Sequence, residues 1–324
     1  MLSSFTRCSI ASFAVTVGAF RWNSQAQCEE TRNSAFVFIK PHANTKKTQE
    51  LVSRSFSSQG IRIVNEGELT GEQIDRDRLI DQHYYAIASK ATLMKPDQLP
   101  VPAAKFEETF GISWKKALAD GAVFNALDAC NYLHITADEL DAAWGPAKKV
   151  KFGGGFYCGL VSIPGKRPIY VFNGFFMSMR SKFVTPGTSI HYYVVDFAPS
   201  ELSWSDFRGK VLGPTDPNDA PADSLRGKIL QDWRSLGLKE VPNVGDNGVH
   251  ASASPFEGLA ERANWLKTDI SKDPFGAKLL ASGISRDTIE KWSVDPQVKG
   301  RSLFDSLEDL DSDACIAKAK ELAR

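Results

Sequence analysis

Cysteine is sparse in this chain, and none of it is spaced for a cofactor. The five residues, Cys8, Cys28, Cys130, Cys158 and Cys315, are odd in number and widely scattered. No Cys-x-x-Cys or Cys-x-x-His spacing occurs, so neither a zinc site nor a disulfide framework is indicated, and the thiols read as reduced ones in an intracellular compartment. Excess charge is also lacking. With 39 basic and 39 acidic side chains there is no electrostatic ground for a nucleic acid or a membrane surface as partner. The apolar stretch at residues 10–20 is too short to span a bilayer. Lys151-Phe152-Gly153-Gly154-Gly155 is followed by no Gly-Lys-Ser/Thr, which excludes a P-loop and leaves a turn.

What is present suffices for a packed core: 324 residues, 42% of them hydrophobic, fit two domains or one domain with a large insertion. The first thirty residues differ from the rest. They hold Arg7, Arg21 and several serines, with no acid before Glu29. Such a start is similar to an organellar transit peptide, and its short apolar stretch also fits a secretory signal core. The expectation is a mitochondrial location, with a cytoplasmic protein carrying a disordered tail as the alternative.

The globular part begins at Ser34. Residues 35–39 read as a buried strand that Lys40-Pro41 ends. Residues 47–58 read as a helix capped by Asn44, and 61–66 as a second strand. Thr70-Gly71-Glu72-Gln73 is a capping box that opens a helix over 72–94. Within residues 95–188, helices are expected over 105–120 and 136–143, and a hairpin from 156–163 and 168–176 around Pro164-Gly165-Lys166-Arg167. A third core strand follows at 189–197, a third helix at 199–211, a fourth strand at 241–249 and a fourth helix at 255–266. This order predicts an α/β (α+β) fold, a ferredoxin-like βαββαβ sandwich. The segments are 1–33 for targeting or disorder, 34–94 and 189–268 for the domain, 95–188 for a folded insertion and 269–324 for a helical extension. Leu303-Phe304-x-x-Leu307-x-x-Leu310 has helical spacing, suited to docking on the domain or on a neighbouring subunit.

The stretch that organises the chain is Asn247-Gly248-Val249-His250, followed by Ala251-Ser252-Ala253-Ser254. A histidine on a strand-like approach, among residues too small to cover it, is presented. Ser254 as cap, Pro255 at the first helical position and Glu257 as capping-box partner mark a helix start directly after it. Amides of a first helical turn favour an anion, and phosphate is the natural candidate. Upstream, a proline-stiffened loop from Leu212 to Gly227 delivers Thr215 and Arg226, a hydroxyl and a guanidinium fork suited to phosphate oxygens.

This run resembles the active-site half of a nucleoside diphosphate kinase. Thr215-Asp216-Pro217 and Arg226-Gly227 are similar to that family's Thr-Asn-Pro and Arg-Gly elements, and Asn247 to Ser254 to its Asn-x-x-His-Gly-Ser-Asp-Ser signature. Phe38-Ile39-Lys40-Pro41 is similar to the family's first strand, and His83-Tyr84 to its helical pair beside the reactive histidine. The resemblance implies that His250 is phosphorylated and that Glu261 fixes its tautomer. It further implies that Lys40, Thr215 and Arg226 hold phosphates with Tyr84 alongside, while Asn247 bonds the sugar or phosphate side. ATP as phosphoryl donor, nucleoside di- and triphosphates as partners and Mg2+ carried by their phosphates are implied too, without a dedicated metal cage. So is a homo-oligomer.

Three departures stand out. Ala253 replaces the signature's aspartate. The family's first phosphate arginine falls on Gly209, between Arg208 and Lys210. The base-stacking phenylalanine has no clear counterpart. These departures leave a catalytically weak nucleotide-binding or scaffolding protein as the alternative reading.

Overall fold

The computed structural model describes residues 31–324. The expected targeting segment up to residue 30, with Cys8 and Cys28, lies outside the described residues. The described chain opens on β1 (Asn33–Ile39), crosses through α1 (Lys46–Ser58) and returns as β2 (Arg62–Thr70). Short helical pieces follow: α2 (Gly71–Arg76), α3 (Leu79–His83), α4 (Tyr85–Ala88) and a π-turn at Ser89–Leu93. Next come α5 (Ala103–Phe110), α6 (Trp114–Ala119), β3 (Val123–Asn125), α7 (Ala126–Leu133) and α8 (Ala137–Trp144). Then β4 (Lys148–Gly153), β5 (Phe156–Val161) and β6 (Ile169–Phe172) lead into α9 (Phe176–Val184) and β7 (Ser189–Phe197). After α10 (Trp204–Asp206) and a π-turn at Phe207–Leu212 come α11 (Leu225–Asp232), β8 (Val249–Ala251) and α12 (Pro255–Trp265). The chain ends with α13 (Pro274–Ala281), α14 (Arg286–Trp292), the small hairpin β9 (Gln297–Val298) and β10 (Arg301–Ser302), α15 (Leu303–Leu307) and α16 (Ser312–Leu322).

The first sheet runs β2-β7-β1-β8 with every neighbouring pair antiparallel. With α1 joining β1 to β2, and α10 and α11 joining β7 to β8, this is the βαββαβ order of a ferredoxin-like sheet. β1 lies inside it, and Ala35 to Ile39 have no exposed surface. A strand covered on both faces needs an unbroken apolar run, which is why residues 35–39 carry no polar alternation. Ala35, Val37 and Ile39 pack with Val52, Phe56 and Ile229 on one face, and Phe36 and Phe38 with Leu79, Phe183 and Trp265 on the other. Each buried phenylalanine stabilises the fold by roughly 1.5–3 kcal/mol.

Several sequence expectations change in the folded chain. Thr45 caps α1 by accepting from Thr48 N, while the Asn44 amide donates to Ser189 Oγ. The helix expected over 72–94 is interrupted at Arg78, whose φ of 51° is left-handed, and again at Tyr84. The helix expected over 105–120 divides into α5 and α6 at Gly111, φ 72°. The fourth strand, expected within 241–249, starts only at Val249 and runs to Ala251, while Val241 and Val244 are exposed and Gly248 adopts φ 89°.

Between residues 123 and 172 lies a second sheet, ordered β3-β6-β5-β4, in which β3 and β6 are parallel and the other pairs antiparallel. Its hairpin β5–β6 forms as expected from 156–163 and 168–176, except that the chain leaves it at Asn173, φ 48°, and turns into α9. The C-terminal helices pack on α12, where Phe256 and Leu259 share a core with Phe275, Leu279, Leu303 and Leu307. The apolar spacing around Leu303 therefore docks on its own domain. A buried ion pair, Arg262 Nε to Asp273 Oδ2 at 2.7 Å, fastens α12 to α13. No helix among the described residues is long and apolar enough to cross a membrane.

Candidate functional site

β8 is only three residues long, and its register places His250. His250 sits directly opposite Phe38 of β1, so the two rings share a face of the sheet. They stack with centroids 4.7 Å apart at 26°. Val249, next along, points into the opposite core. Gly248 before it has φ 89°, and a Cβ there would come within 2.9 Å of Ile229; only glycine suits that corner.

Behind the imidazole is a buried acid. His250 Nε2 lies 2.6 Å from Glu261 Oε1, and Ser252 Oγ donates to Glu261 Oε2 at 2.5 Å. A carboxylate there accepts the Nε2 proton and leaves Nδ1 as the nitrogen with a lone pair. Nδ1 has no hydrogen-bond partner among the described residues. The His83 ring stands edge-on to His250 at 4.6 Å, and its Nδ1 accepts from the Trp265 indole at 3.3 Å. His83, His250 and Glu261 present ligand atoms close enough together to hold a metal ion. Those atoms are already engaged: the indole can only donate, so His83 Nδ1 is an occupied acceptor, and Glu261 Oε1 holds the His250 proton. The cluster reads as a proton network that orients His250.

The interruption of the expected 72–94 helix matters here. Consecutive residues of a continuous helix diverge by about 100°. At the break the His83 ring lies 4.6 Å from that of His250 and 4.5 Å from that of Tyr84, and Tyr84 lines the cavity.

That cavity measures about 700 Å³ and is lined by Lys40, Tyr84, Thr215, Arg226, Asn247 and His250, with Arg208, Glu257, Glu308 and Asp309 at its walls. Six of the seven residues singled out in the sequence thus border one space, and the seventh, Glu261, stands behind His250. They come from the exit of β1, the α3–α4 break, the 213–224 loop, α11, the turn before β8 and β8 itself. Ser224 caps α11 by accepting from Gly227 N, which fixes the turn carrying Arg226. The sequence reading of a presented histidine needs refinement, because the His250 side chain is only 16% exposed and that exposure belongs to the cavity.

Charge in the cavity is unbalanced. Arg226 donates to the carbonyls of Gly213 at 2.6 Å and Val249 at 2.9 Å, and Lys40 Nζ to that of Gly245 at 2.9 Å. Neither has a carboxylate within ion-pair distance among the described residues. Burial, then Arg208, lowers the Arg226 guanidinium to about 10, and burial, then Arg226, lowers the Lys40 amine to about 8. Burial and these cations hold His250 well below the usual imidazole value, so it is neutral. Burial raises the Tyr84 hydroxyl to about 12 and the Glu261 carboxyl to about 7. Asn247 Nδ2 donates to the Thr215 carbonyl at 2.9 Å, which sets the amide's orientation. Its Oδ1 is then a buried acceptor with no partner.

The sequence reading assigns some residues of the site no role. Of the two neighbours of Gly209 already noted, Arg208 lines the cavity as its third cation, whereas Lys210 does not and is tied to Asp206 at 2.9 Å. Glu257 completes only half of the expected capping box: its N–H reaches Ser254 Oγ, but its carboxylate accepts from Ala253 N at 3.2 Å. Burial and Glu261 push its carboxyl well above the ordinary range. The spacing of Glu257 and Glu261, one helical turn apart, was the available signal.

No family model matches this chain, and no curated protein does. Among solved structures, it is similar to the nucleoside diphosphate kinase from Encephalitozoon cuniculi in its apo form, at 13% identity and TM-score 0.36, over 73% of this chain and 90% of that one. It is also similar to an NDP kinase from Pyrobaculum aerophilum, at 19% identity and TM-score 0.32, over 72% of this chain and 95% of that one. At such identities and TM-scores the likeness decides nothing about chemistry, which rests on the side chains of this chain.

Proposed function

We propose that this protein is a nucleoside diphosphate kinase working through a phosphohistidine at His250. The reading is carried by one observation: a neutral imidazole, its Nε2 engaged by Glu261, shares a cavity with two half-buried cations that have no ion-paired carboxylate among the described residues. Partial desolvation of two cations without ion-paired carboxylates is unfavourable, and a bound anion relieves it.

In the first half-reaction the Nδ1 lone pair attacks the γ-phosphorus of a nucleoside triphosphate. The bond from that phosphorus to the β,γ-bridging oxygen breaks, and the nucleoside diphosphate leaves with the electron pair. Charge on the transferring oxygens is met by Lys40 and Arg226, whose positions need little rearrangement. As Nδ1 becomes bonded to phosphorus, the ring gains positive charge, which ionised Glu261 stabilises through Nε2–H. In the second half-reaction a terminal phosphate oxygen of another nucleoside diphosphate attacks the phosphohistidine, and the nitrogen–phosphorus bond breaks to restore neutral His250. Asn247 Oδ1 is an acceptor that is covered in this structure, so it meets a sugar hydroxyl only after a side-chain shift and does not suit a phosphate oxygen. Thr215 and Tyr84 add hydroxyl donors to the same wall.

Magnesium would arrive on the β and γ phosphates, neutralising their charge. The donor set fits that arrangement, since Glu308 and Asp309 are engaged by Arg208 and Glu257 is raised toward its neutral form. Steady-state transfer from ATP to a second nucleoside diphosphate, compared between the wild-type chain and His250→Ala, tests the proposal. Equal rates in the two would overturn it. Ala253, together with the engagement of Arg208, favours the second reading, a slow nucleotide-binding protein. Intact nucleotide binding with turnover no faster than that of His250→Ala would select it.

A further inference from the structure

The C-terminal extension reaches into the anion cavity. Glu308 and Asp309, immediately after α15, line the same space as His250, and each places a carboxylate oxygen 2.7 Å from Arg208 Nη1. Their backbone is held in place: Asp309 N–H donates to the Ala253 carbonyl at 3.0 Å, and Leu303 and Leu307 are fully buried against α12. The acidic side chains remain 42% and 46% exposed. Arg208 spends only Nη1 on them, and its Nε and Nη2 have no partner among the described residues. Lys40 and Arg226 are bound by carbonyls alone, so Arg208 is the one cavity cation opposed by carboxylates.

We propose that Glu308 and Asp309 are a built-in competitor for the ligand's phosphate at Arg208, and that the C-terminal segment thereby sets the affinity of the site. With the cavity empty, two carboxylates hold the guanidinium. An incoming polyphosphate takes the free Nε and Nη2 donors and displaces the carboxylates, which swing outward on a backbone that stays anchored. This rests on the anion-binding reading of the cavity but not on the transfer chemistry.

Binding of ADP with magnesium, and of pyrophosphate with magnesium, is measured by calorimetry at low salt. The chains compared are wild type, Glu308→Gln/Asp309→Asn, Arg208→Gln and the triple variant. Both tail substitutions are isosteric and lie on half-exposed side chains, so folding is preserved. The expected result is about tenfold tighter binding of pyrophosphate in the tail variant, weaker binding in Arg208→Gln, and less than about twofold effect of the tail changes once Arg208 is gone. Unchanged or weaker pyrophosphate binding in the tail variant overturns the competitor and shows the carboxylates to be supports for Arg208. Equal tightening with and without Arg208 also overturns it, because general repulsion then suffices. Pyrophosphate that tightens while ADP binds to none of the chains leaves the competitor standing and removes the nucleotide reading instead.

Discussion

The two sheets of this protein invite comparison. Around the second sheet every buried polar side chain is answered. Asn173 accepts from Tyr157 N and donates to the Ile87 and Gly155 carbonyls, Asn125 caps α7 and bonds the Met94 carbonyl, and Ser178 donates to Asp138. Its core is aromatic, with Phe106 against Phe110, Trp114 and Tyr170. Around the first sheet the balance is left open on one side only. Asn247 Oδ1 is the only buried side-chain polar atom without a partner among the described residues, and two half-buried cations of the same cavity have no ion-paired carboxylate there. No residue between 95 and 175 lines that cavity. A satisfied region stabilises a fold; a region that leaves charge and hydrogen-bonding capacity unanswered is arranged for something that arrives from outside.

The sharpest way to break this contrast is at the nucleophile. His250→Ala should lower phosphoryl transfer at least about a thousandfold in steady-state assays, with nucleotide binding retained. Next is the uncompensated cation. Arg226→Gln removes the cation proposed to meet developing charge and is expected to cost about a hundredfold in kcat/KM.

Glu261→Gln comes third, with an expected loss of about ten- to a hundredfold. It also carries a pH signature. Burial raises the Glu261 carboxyl to about 7, and only its ionised form takes the Nε2 proton and leaves Nδ1 nucleophilic. The wild-type kcat/KM should therefore be highest between about pH 7 and 8, fall as pH drops through 7, and fall again above about 8 as the Lys40 amine loses its proton. His250, held well below its usual value, adds no separate loss there. A flat profile down to pH 5.5, or an unchanged acid limb in Glu261→Gln, would contradict this assignment. The smallest effect on transfer is expected from the other sheet. Trp144 packs against Gly159 and Gly174, each within 2.7 Å of where a Cβ would stand. Trp144→Ala should cost about 3–5 kcal/mol in denaturant unfolding while changing nucleotide affinity less than about twofold.

What the sequence disclosed follows the same division. The site residues lie at the ends of elements, where spacing along the chain is informative: the Asn247 to His250 run, the capped turn carrying Arg226, and Lys40 at the exit of β1. The ferredoxin-like order was legible because β1 and β7 are long and distinctly apolar. Less was legible where long-range contacts override local pattern. Nothing in Arg78 announces a left-handed residue, yet that break and the one at Tyr84 set the His83 ring against both His250 and Tyr84. Val241 and Val244 look strand-like, but glycine and asparagine turns keep them out of the sheet. β4, with three lysines in its six residues, lacks the apolar alternation of a half-buried strand. The partners of Arg208 lie about a hundred residues downstream, a pairing that periodicity cannot reveal.

The central claim is that His250 carries the phosphoryl group. The most direct test is incubation with ATP labelled at its γ-phosphate, followed by an acid and alkali stability assay of the protein-bound label. The account predicts an acid-labile, alkali-stable label on the wild-type chain that an added nucleoside diphosphate discharges and that His250→Ala lacks. An unlabelled wild-type chain, or the same label on His250→Ala, would contradict it.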